Sequence, residues 1–337
     1  MKIVIADPDL RVHRAVFEAA LGPDMVISWH NSWDEPSVLT ALEDADVFVG
    51  SRLTATMGAA GPRIRLVHTA GAGYDGIDFN ALPILAVCAN TFHHEGSVAE
   101  YVAATLIALR RNLIGQDAAL RAGIWHSPSY CTDLPQPETL RGAVVTLLGF
   151  GHIGAASWQL LQAFGTEGIA ITRTGSVTAD AHALRWAGTM ENLHEALTES
   201  DALLISVPLA VNTTGIIGPA ELDALGPGGL LVNVARGPVV QEEALYLALK
   251  DRRIAGAAID VWYRHPGADG RGKPGALPFG SLDNIIMTPH SSAVTAETFR
   301  GRSQEIIENI NRLAADRPLR NVVITGRTNK PAGDPTP

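Results

Sequence analysis

The chain has few cysteines, a deficit of positive charge and no long apolar run, and each shortage excludes a class of protein. Its two cysteines, Cys88 and Cys131, share no C-x-x-C spacing, so we expect neither a disulfide framework nor a zinc site. The net charge of −9 argues against nucleic acid or an anionic membrane surface as a partner. No apolar run approaches the roughly 20 residues of a membrane-spanning helix, and the run from Met1 to Ala6 is too short for a signal peptide. We therefore expect a cytoplasmic protein that binds neither membrane nor nucleic acid.

What the chain does have is a regular alternation of short apolar strands and helix-like stretches, which is typical of doubly wound α/β sheets. Strands are predicted at Ile3–Ala6, Asp46–Val49, Leu66–His68, Ala143–Leu148, Ile169–Thr172, Ala202–Ser206, Leu230–Val234, Ala257–Val261 and Ile285–Met287. Helices are predicted at His13–Leu21, Ser97–Arg111 and Ala155–Phe164. In the second helix, Ser97 and Glu100 have the spacing of a capping box.

The segment Gly149–Gly154 reads G-x-G-x-x-G and stands between a predicted strand and a predicted helix. That context predicts a dinucleotide pyrophosphate site, because the helix N-terminus offers N–H groups and the positive end of its dipole. Gly149 permits the tight turn, Gly151 lets the backbone approach the phosphates, and Gly154 lets the helix pack on the strand. His152 and Ile153 fall in the same turn and are expected to contact the cofactor. The alternative is a glycine turn with no ligand.

Because this motif falls in the middle of the chain, βα structure must exist on both sides of it. Two domains explain this, with a continuous middle domain inserted into a discontinuous outer one. A single sheet running through the whole chain is the alternative.

Four further segments occur in a fixed order: Thr69–Asp78 (TAGAGYDGID), Asn233–Gly237 (NVARG), Gly256–Trp262 (GAAIDVW) and Thr288–His290 (TPH). With the glycine motif, they resemble the D-isomer-specific 2-hydroxyacid dehydrogenases over about residues 45 to 324. The resemblance implies an α/β fold with a Rossmann-type NAD(P)-binding domain, residues 96–290, inserted in a discontinuous flavodoxin-like catalytic domain, residues 1–95 and 291–327. It also implies a homodimer. The tail, residues 328–337, is rich in Pro and Gly and is predicted to be disordered.

Two residues of these segments carry the implied chemistry. Arg236 follows a predicted strand and matches the family's catalytic arginine, whose guanidinium can bind a 2-oxo carboxylate and polarise the keto oxygen. His290 matches the family's acid, which protonates the carbonyl oxygen, a task that suits the natural pKa of histidine. A surface arginine and a structural histidine are the alternatives.

The substrate carboxylate is expected to meet backbone N–H groups of Gly71, Ala72 and Gly73, an anion-binding nest. Arg52 falls where family members often place an anion contact. Asp260 matches the aspartate that accepts a hydrogen bond from the nicotinamide carboxamide, with a strand-end cap as the alternative. The resemblance adds further cofactor contacts at Val207, Pro208, Thr213, Val234, Ala235 and Ser292.

Two departures from the family pattern matter. The acidic residue expected about 20 residues beyond the glycines, on the adenosine ribose, is replaced by Thr172-Arg173-Thr174. A cation and two hydroxyls suit a 2′-phosphate, so NADP is predicted as the preferred cofactor, with NAD possible. The glutamate that pairs with the catalytic histidine is also missing, and His265 stands before Pro266 in its place.

The sequence predicts no metal site. His93-His94-Glu95 is suggestive, but adjacent histidines point apart in most backbones and no third ligand is suitably spaced. The leading interpretation is an oxidoreductase that transfers a hydride between NAD(P)H and a small 2-oxo acid to give a D-2-hydroxy acid. The missing glutamate keeps open a non-catalytic dinucleotide sensor. Formate or phosphite as the hydride donor is a third reading, although phosphite enzymes carry a lysine where this chain has Ala70.

Overall fold

The computed structural model describes residues 1–267 and 269–325, so the tail predicted to be disordered lies outside the described residues. The chain divides into two compact units. The first consists of Met1–His93 and the segment from Thr295 on, and the second is His94–Val294. The first unit is therefore discontinuous in sequence. Each unit is described by itself.

The strands of the described residues are, in chain order, β1 Lys2–Ile5, β2 Val26–Trp29, β3 Val47–Val49, β4 Leu66–His68, β5 Val87–Ala89, β6 Val144–Leu148, β7 Glu167–Ile171, β8 Trp186–Gly188, β9 Ala202–Ile205, β10 Leu230–Asn233, β11 Gly256–Ile259, β12 Ile285–Met287 and β13 Val322–Thr325. The α-helices are α1 Arg14–Ala20, α2 Glu35–Leu42, α3 Ala55–Ala60, α4 Glu95–Arg110, α5 Leu113–Arg121, α6 His152–Gln162, α7 Leu193–Thr198, α8 Pro219–Leu225, α9 Glu242–Lys250 and α10 Ala296–Ala314. Short 3-10 turns lie at Asp9–His13, Phe79–Ala81, Asp180–His182, Met190–Asn192, Gly237–Val239 and Phe279–Ser281.

The first unit is built on one six-stranded sheet in the order β2-β1-β3-β4-β5-β13. Strands β1 to β5 are parallel, and β13 pairs antiparallel with β5. The parallel order 2-1-3-4-5 is that of flavodoxin-like folds. Alternate residues of β3 face opposite sides, so Val47 and Val49 join one apolar core and Phe48 the other.

The second unit contains a seven-stranded parallel sheet in the order β8-β7-β6-β9-β10-β11-β12. Its first six strands have the Rossmann order, and β12 extends the sheet by one strand. The central strand β6 is buried on both faces, with Val144 and Leu148 in one core and Val145 and Leu147 in the other. The fold is therefore a Rossmann-type unit inserted in a discontinuous flavodoxin-like unit.

The predicted capping box of the long helix is wrong. Helix α4 begins at Glu95, with His94 as its N-cap, so Ser97 and Glu100 both lie inside the helix. The Ser97 hydroxyl donates to the His94 carbonyl at 3.1 Å, the back-bonding typical of serine in a first turn. Within the described residues, no helix is both long and apolar enough to cross a membrane.

Candidate active site

In the second unit, the candidate residues gather at the carboxyl ends of the strands. Strands β10, β11 and β12 are neighbours, and Asn233 pairs with Ile259, which pairs with Met287. The segments that follow them carry Arg236, Asp260 and His290, so these loops start at one edge of the sheet. Strand order reverses between β6 and β9. Ligands of open α/β sheets bind outside the carboxyl ends at such a reversal.

The glycine turn after β6 needs each of its glycines for a different reason. Gly149 has a φ of +97°, and a Cβ there would lie 3.1 Å from Ser206. A Cβ on Gly154 would overlap the Gly149 carbonyl oxygen. A Cβ on Gly151 would meet nothing within 4 Å, so the backbone there faces open space. The Ser206 hydroxyl donates to the Gly149 carbonyl at 3.1 Å and ties the turn to β9.

Helix α6 starts directly from this turn, with Gly151 as its N-cap and His152 as its first residue. First-turn N–H groups have no acceptor inside a helix, and here they stand beside the open space at Gly151. His152 is exposed, and its Nδ1 lies 3.5 Å from Glu95 Oε1, while Ile153 packs against an apolar core. These residues fit the pyrophosphate of a dinucleotide.

The segment after β7, predicted to meet the adenosine end of the cofactor, forms a hydroxyl-rich turn. Thr172 Oγ1 accepts from the Gly175 N–H at 3.0 Å, and Thr174 Oγ1 lies 2.8 Å from Ser176 Oγ. Arg173 between them is exposed. The turn from residue 172 to 176 contains no carboxylate. The turn therefore offers a positive charge and hydroxyl groups to a ligand.

The segment after β9 folds on itself. The Thr213 hydroxyl donates to the Pro208 carbonyl at 2.7 Å and accepts from the Ala210 N–H at 2.8 Å. Val207 is partly buried against the core, and Val211 at the tip is fully exposed. In the structure, the Thr213 hydroxyl thus holds the loop together.

Arg236 projects from a loop that a buried amide fixes. Asn233, 1% exposed, accepts the Ala235 N–H through Oδ1 at 3.0 Å and donates from Nδ2 to the Arg236 carbonyl at 3.1 Å. Val234 and Ala235 are buried. The Arg236 guanidinium donates from Nη1 to the Ala235 carbonyl at 2.8 Å. Both the backbone and the guanidinium at the end of the arginine side chain therefore have hydrogen-bond partners.

The loop that carries His290 is organised by Asp260, which is completely buried. Asp260 Oδ1 accepts from Thr288 Oγ1 at 2.7 Å and from the Ser291 N–H at 2.8 Å. Its Oδ2 accepts from the Ser292 N–H at 3.0 Å and from the Ser292 hydroxyl at 2.6 Å. The His290 N–H donates to the Asp260 carbonyl at 2.8 Å, and His290 has a φ of +56°. One carboxylate thus binds the loop on both sides of the histidine.

This arrangement bears on the predicted contact between Asp260 and the nicotinamide carboxamide. A carboxylate has about four lone-pair sites, and four hydrogen bonds within the protein already occupy those of Asp260. Ser292, also predicted as a cofactor contact, directs both its N–H and its hydroxyl to Asp260. In this geometry both residues shape the His290 loop.

Sequence reasoning missed Asn233, Tyr101 and Thr288. Tyr101 Oη lies 2.8 Å from Thr288 Oγ1, and the Trp262 Nε1–H donates to the Thr288 carbonyl at 2.8 Å. Burial raises the pKa of Tyr101 to about 12, and the charge of Asp260 acts in the same direction. A signal for Asn233 was present, since it opens the NVARG segment and an amide at a strand end can bracket the following turn.

His265 is exposed, in a loop that closes on itself after β11. The Tyr263 and Arg264 N–H groups both donate to the Pro274 carbonyl, at 3.1 and 2.9 Å. Asp269 is also exposed, and its carboxylate accepts from the Arg271 N–H at 3.0 Å. A solvent-exposed ring is weakly coupled to any neighbouring charge.

In the first unit, the glycine segment after β4 has its carbonyl groups tied into the protein. The Gly71 carbonyl accepts from the Thr69 hydroxyl at 2.7 Å and from the Thr91 N–H at 3.3 Å. The Ala72 carbonyl accepts from Asn90 Nδ2 at 2.8 Å. The peptide planes of the segment are therefore fixed before any anion binds, which is what a backbone nest requires.

His68, the last residue of β4, lies fully buried beneath this segment. Its Nδ1 is 2.8 Å from the Thr69 carbonyl, and its Nε2 is 2.9 Å from Asn309 Nδ2. These partners assign the proton to Nδ1, with Nε2 accepting. Burial lowers the pKa of His68 to about 4, so the ring is neutral near neutral pH.

Two other candidates of the first unit lie in polar surroundings. The Arg52 side chain is mostly exposed, with Nη1 3.7 Å from Glu35 Oε2. His93 Nε2 lies 3.0 Å from Glu305 Oε2, and His93 belongs to the first unit whereas His94 and Glu95 belong to the second. Across the described ranges, no cluster of three or more His, Cys, Asp and Glu side chains is placed to hold a metal ion.

Comparison with known proteins identifies the family to which the chain is similar. Residues 103–292 match the family model of the D-isomer specific 2-hydroxyacid dehydrogenase NAD binding domain. A D-3-phosphoglycerate dehydrogenase of Mycobacterium leprae is 30% identical over 298 residues, which are 87% of this chain and 53% of that protein. A 2-ketogluconate reductase of Gluconobacter oxydans is 30% identical over 279 residues, 82% of this chain and 84% of that protein. The chain thus spans about half the length of the phosphoglycerate dehydrogenases that it matches.

Among solved structures, an NADPH-dependent glyoxylate/hydroxypyruvate reductase from Sinorhizobium meliloti in complex with citrate superimposes with a TM-score of 0.78. It is 26% identical, and the match covers 98% of this chain and 99% of that one.

Proposed function

The chain belongs to the family of D-isomer specific 2-hydroxyacid dehydrogenases, and on that premise we propose that it reduces a small 2-oxo acid to a D-2-hydroxy acid with a nicotinamide cofactor. The observation that carries the proposal is the placement of Arg236 and His290 on two loops of one sheet edge. Each loop is held by a buried polar side chain, Asn233 for the arginine and Asp260 for the histidine. Such support is what a preorganised catalytic group requires.

The proposed roles follow from the chemistry of the two side chains. When bound, a reduced nicotinamide would supply the hydride that reaches the carbonyl carbon. Arg236 donates to the substrate carboxylate and the keto oxygen, a planar bidentate contact that an ammonium cannot reproduce. His290, in its protonated form, gives its proton to the keto oxygen as that oxygen gains negative charge. For the first unit taken by itself, Gly71, Ala72 and Gly73 are proposed as an anion-binding nest of backbone N–H groups.

The first unit is proposed as the substrate-binding domain and the second as the cofactor-binding domain. In the second, the turn from Gly149 to Gly154 binds the pyrophosphate. The further contacts proposed for the cofactor are Val207, Pro208, Thr213, Val234 and Ala235. His265 is proposed to take the place of the glutamate that pairs with the catalytic histidine in the family.

We further propose that NADPH is preferred over NADH, because the turn at Thr172, Arg173 and Thr174 offers a cation and hydroxyls in place of a carboxylate. Arg173→Ala should raise the KM for NADPH about tenfold or more, the cost of one charge-assisted hydrogen bond. The KM for NADH should change little. Arg185→Ala, which removes an exposed arginine paired with Glu167, is the matched control. Equal efficiency with both cofactors in the unmodified protein would contradict the preference.

A homodimer is proposed through an apolar surface of the second unit. Between residues 113 and 130 several large apolar side chains are exposed: Leu113, Ile114, Leu120, Ile124, Trp125 and Tyr130. Exposed large apolar side chains grouped in one stretch of the chain suit an interaction surface. Trp125→Glu should yield a monomer in analytical ultracentrifugation, whereas Val211→Glu, at a fully exposed loop tip, should leave the dimer intact.

The experiment that tests the proposed function is NADPH oxidation against a panel of 2-oxo acids, with NADH in parallel. Turnover of at least one 2-oxo acid, with a D-configured 2-hydroxy acid as the product, is the expected result. If cofactor binds but no member of the panel is reduced, the proposed function is refuted.

A further inference from the structure

A chain of hydroxyl groups runs from helix α4 to the buried carboxylate of Asp260. Tyr101 Oη lies 2.8 Å from Thr288 Oγ1, and Thr288 Oγ1 donates to Asp260 Oδ1 at 2.7 Å. A threonine hydroxyl carries one hydrogen and can accept two. Because that hydrogen goes to Asp260, Thr288 must accept from Tyr101. In this chain of hydrogen bonds, each group therefore donates to the next, from the phenol through the threonine to the carboxylate.

The carboxylate end of this chain holds the loop that carries His290. Asp260 accepts a hydrogen bond from the hydroxyl of Thr288, which precedes the histidine in sequence. It also accepts hydrogen bonds from the N–H groups of Ser291 and Ser292, which follow the histidine. The histidine between them is in the left-handed region of φ, which is uncommon for a residue with a side chain, and hydrogen bonds to Asp260 flank it on both sides. The position of His290 thus depends on the hydrogen bonds of Asp260.

We propose that Tyr101 is a positioning residue for His290, acting through the hydroxyl of Thr288 and the carboxylate of Asp260. The inference rests on the proposed function, in which His290 is the acid, and adds to it a residue on another element, 187 positions away from Thr288 in sequence. Without the phenol, the Thr288 hydroxyl keeps its hydrogen for Asp260 but loses the donor that fixes its orientation. The loop then samples conformations in which the imidazole points away from the reacting oxygen.

Two further features of Tyr101 suit this role. Burial raises its pKa to about 12, so the phenol retains its hydrogen near neutral pH and can donate it to Thr288. Its ring packs against the apolar core of the second unit, and α4 lies against β11 and β12. Phenylalanine therefore preserves the packing and removes only the hydroxyl.

The test compares Tyr101→Phe, Thr288→Val, Thr288→Ser and the double variant of Tyr101→Phe with Thr288→Val. Tyr101→Phe should lower kcat for 2-oxo acid reduction about two- to tenfold, the range for one net hydrogen bond, and leave the KM for NADPH unchanged. Thr288→Val should lower kcat further, whereas Thr288→Ser, which keeps a hydroxyl, should have a kcat close to that of the unmodified protein. The double variant should have the same kcat as Thr288→Val alone. Tyr246→Phe, on α9 against Phe279, is the matched control and should keep full kcat.

Losses that multiply in the double variant, or a Tyr101→Phe protein as active as the control, would overturn the inference. Hydrogen exchange by mass spectrometry separates it from the proposed function, because it needs no substrate. Backbone amides of residues 285–294 should exchange faster in Tyr101→Phe and not in Tyr246→Phe. Faster exchange in a protein that reduces no 2-oxo acid refutes the function and keeps the positioning role. Unchanged exchange refutes the positioning role even in an active enzyme.

Discussion

His68 in the first unit and Asp260 in the second lie in comparable places, each fully buried at the carboxyl end of a parallel strand. Each supports a segment that carries proposed contacts, the glycine nest after His68 and the His290 loop after Asp260. The histidine does so as a neutral ring with one donor and one acceptor. The aspartate does so as an anion with four donors around it.

The difference shows how charge state limits each kind of support. Burying a neutral imidazole costs much less desolvation free energy than burying a charge. Once a second proton binds, however, the ring is charged and no longer has an acceptor nitrogen. A buried carboxylate needs a full set of donors, and each donor is left without an acceptor if the carboxylate is removed. We therefore expect low pH to destabilise the first unit by protonating His68. In the second unit, we expect the largest loss of stability from a substitution at Asp260.

The largest effect is expected from Asp260→Ala. Several buried donors lose their acceptor at about 1–3 kcal/mol each, so the free energy of unfolding should fall by about 3 kcal/mol or more. The His290 loop should lose its conformation, and kcat/KM should fall more than about a hundredfold. Urea unfolding and steady-state kinetics measure the two losses. Asp283→Ala, which removes an exposed partner of Arg252, should change stability by less than about 1 kcal/mol. Equal stabilities of the two variants would remove Asp260 from the role of loop support.

Acid should destabilise the first unit through His68. Its pKa is about 4 in the folded protein and near 6.5 when unfolded, so the unfolded state binds more protons between these values. The stabilising contribution is complete above about pH 6.5 and is lost as the pH falls towards 4, a change of about 3 kcal/mol. Hydrogen exchange in β4 as a function of pH measures it. The pH dependence should shrink in His68→Gln and persist in His194→Gln, which alters an exposed histidine. If hydrogen exchange in β4 of His68→Gln kept the full pH dependence of the unmodified protein, the acid effect would not come from His68.

Replacing a chemical group while keeping its support should separate activity from stability. Arg236→Lys retains Asn233 and its two hydrogen bonds to the loop. We expect kcat/KM to fall about ten- to a hundredfold, the cost of roughly 1.5–3 kcal/mol for a charge-assisted contact, with unchanged unfolding and cofactor affinity. Arg253→Lys, at an exposed ion pair with Asp223, should keep full activity. Near-normal kcat/KM in the Arg236 variant would remove this arginine from catalysis.

The smallest effect concerns His265, which lies on an exposed loop. A carboxylate near His290 stabilises the charged imidazole, and reduction needs that protonated form, so His265→Glu should move the falling limb of kcat/KM to higher pH. The movement should be a fraction of a pH unit, because solvent screens an exposed carboxylate. His265→Gln should leave the limb in place. With hydride transfer shown to limit the rate, an unmoved limb in His265→Glu would mean that residue 265 is not coupled to His290.

The sequence predicted the central strands well because their residues are continuous apolar runs buried on both faces, as in β6. It did not predict β2, β8 or β13, which lie at sheet edges, where partial exposure interrupts the apolar run. It also missed β5, an inner strand of only three residues. The glycine motif was readable because its chemistry is local. The link between Tyr101 and Thr288 was not readable, because no local pattern joins residues so far apart in sequence. His68 likewise looked like the polar end of a strand, and only its burial shows what it supports.

The discontinuity of the first unit has a consequence for the order in which the protein is made. One face of its sheet packs against Phe299, Ile306, Ile307 and Ile310 of α10, and its strand β5 pairs with the edge strand β13. Those residues leave the ribosome only after the 201 residues from 94 to 294 have been added, which takes roughly 10 to 40 s at about 5–20 residues per second. The second unit is therefore complete on the nascent chain while the apolar face of the first still waits for its covering helix. The strands that are made first are therefore the last to be covered, and their apolar face stays exposed during that interval.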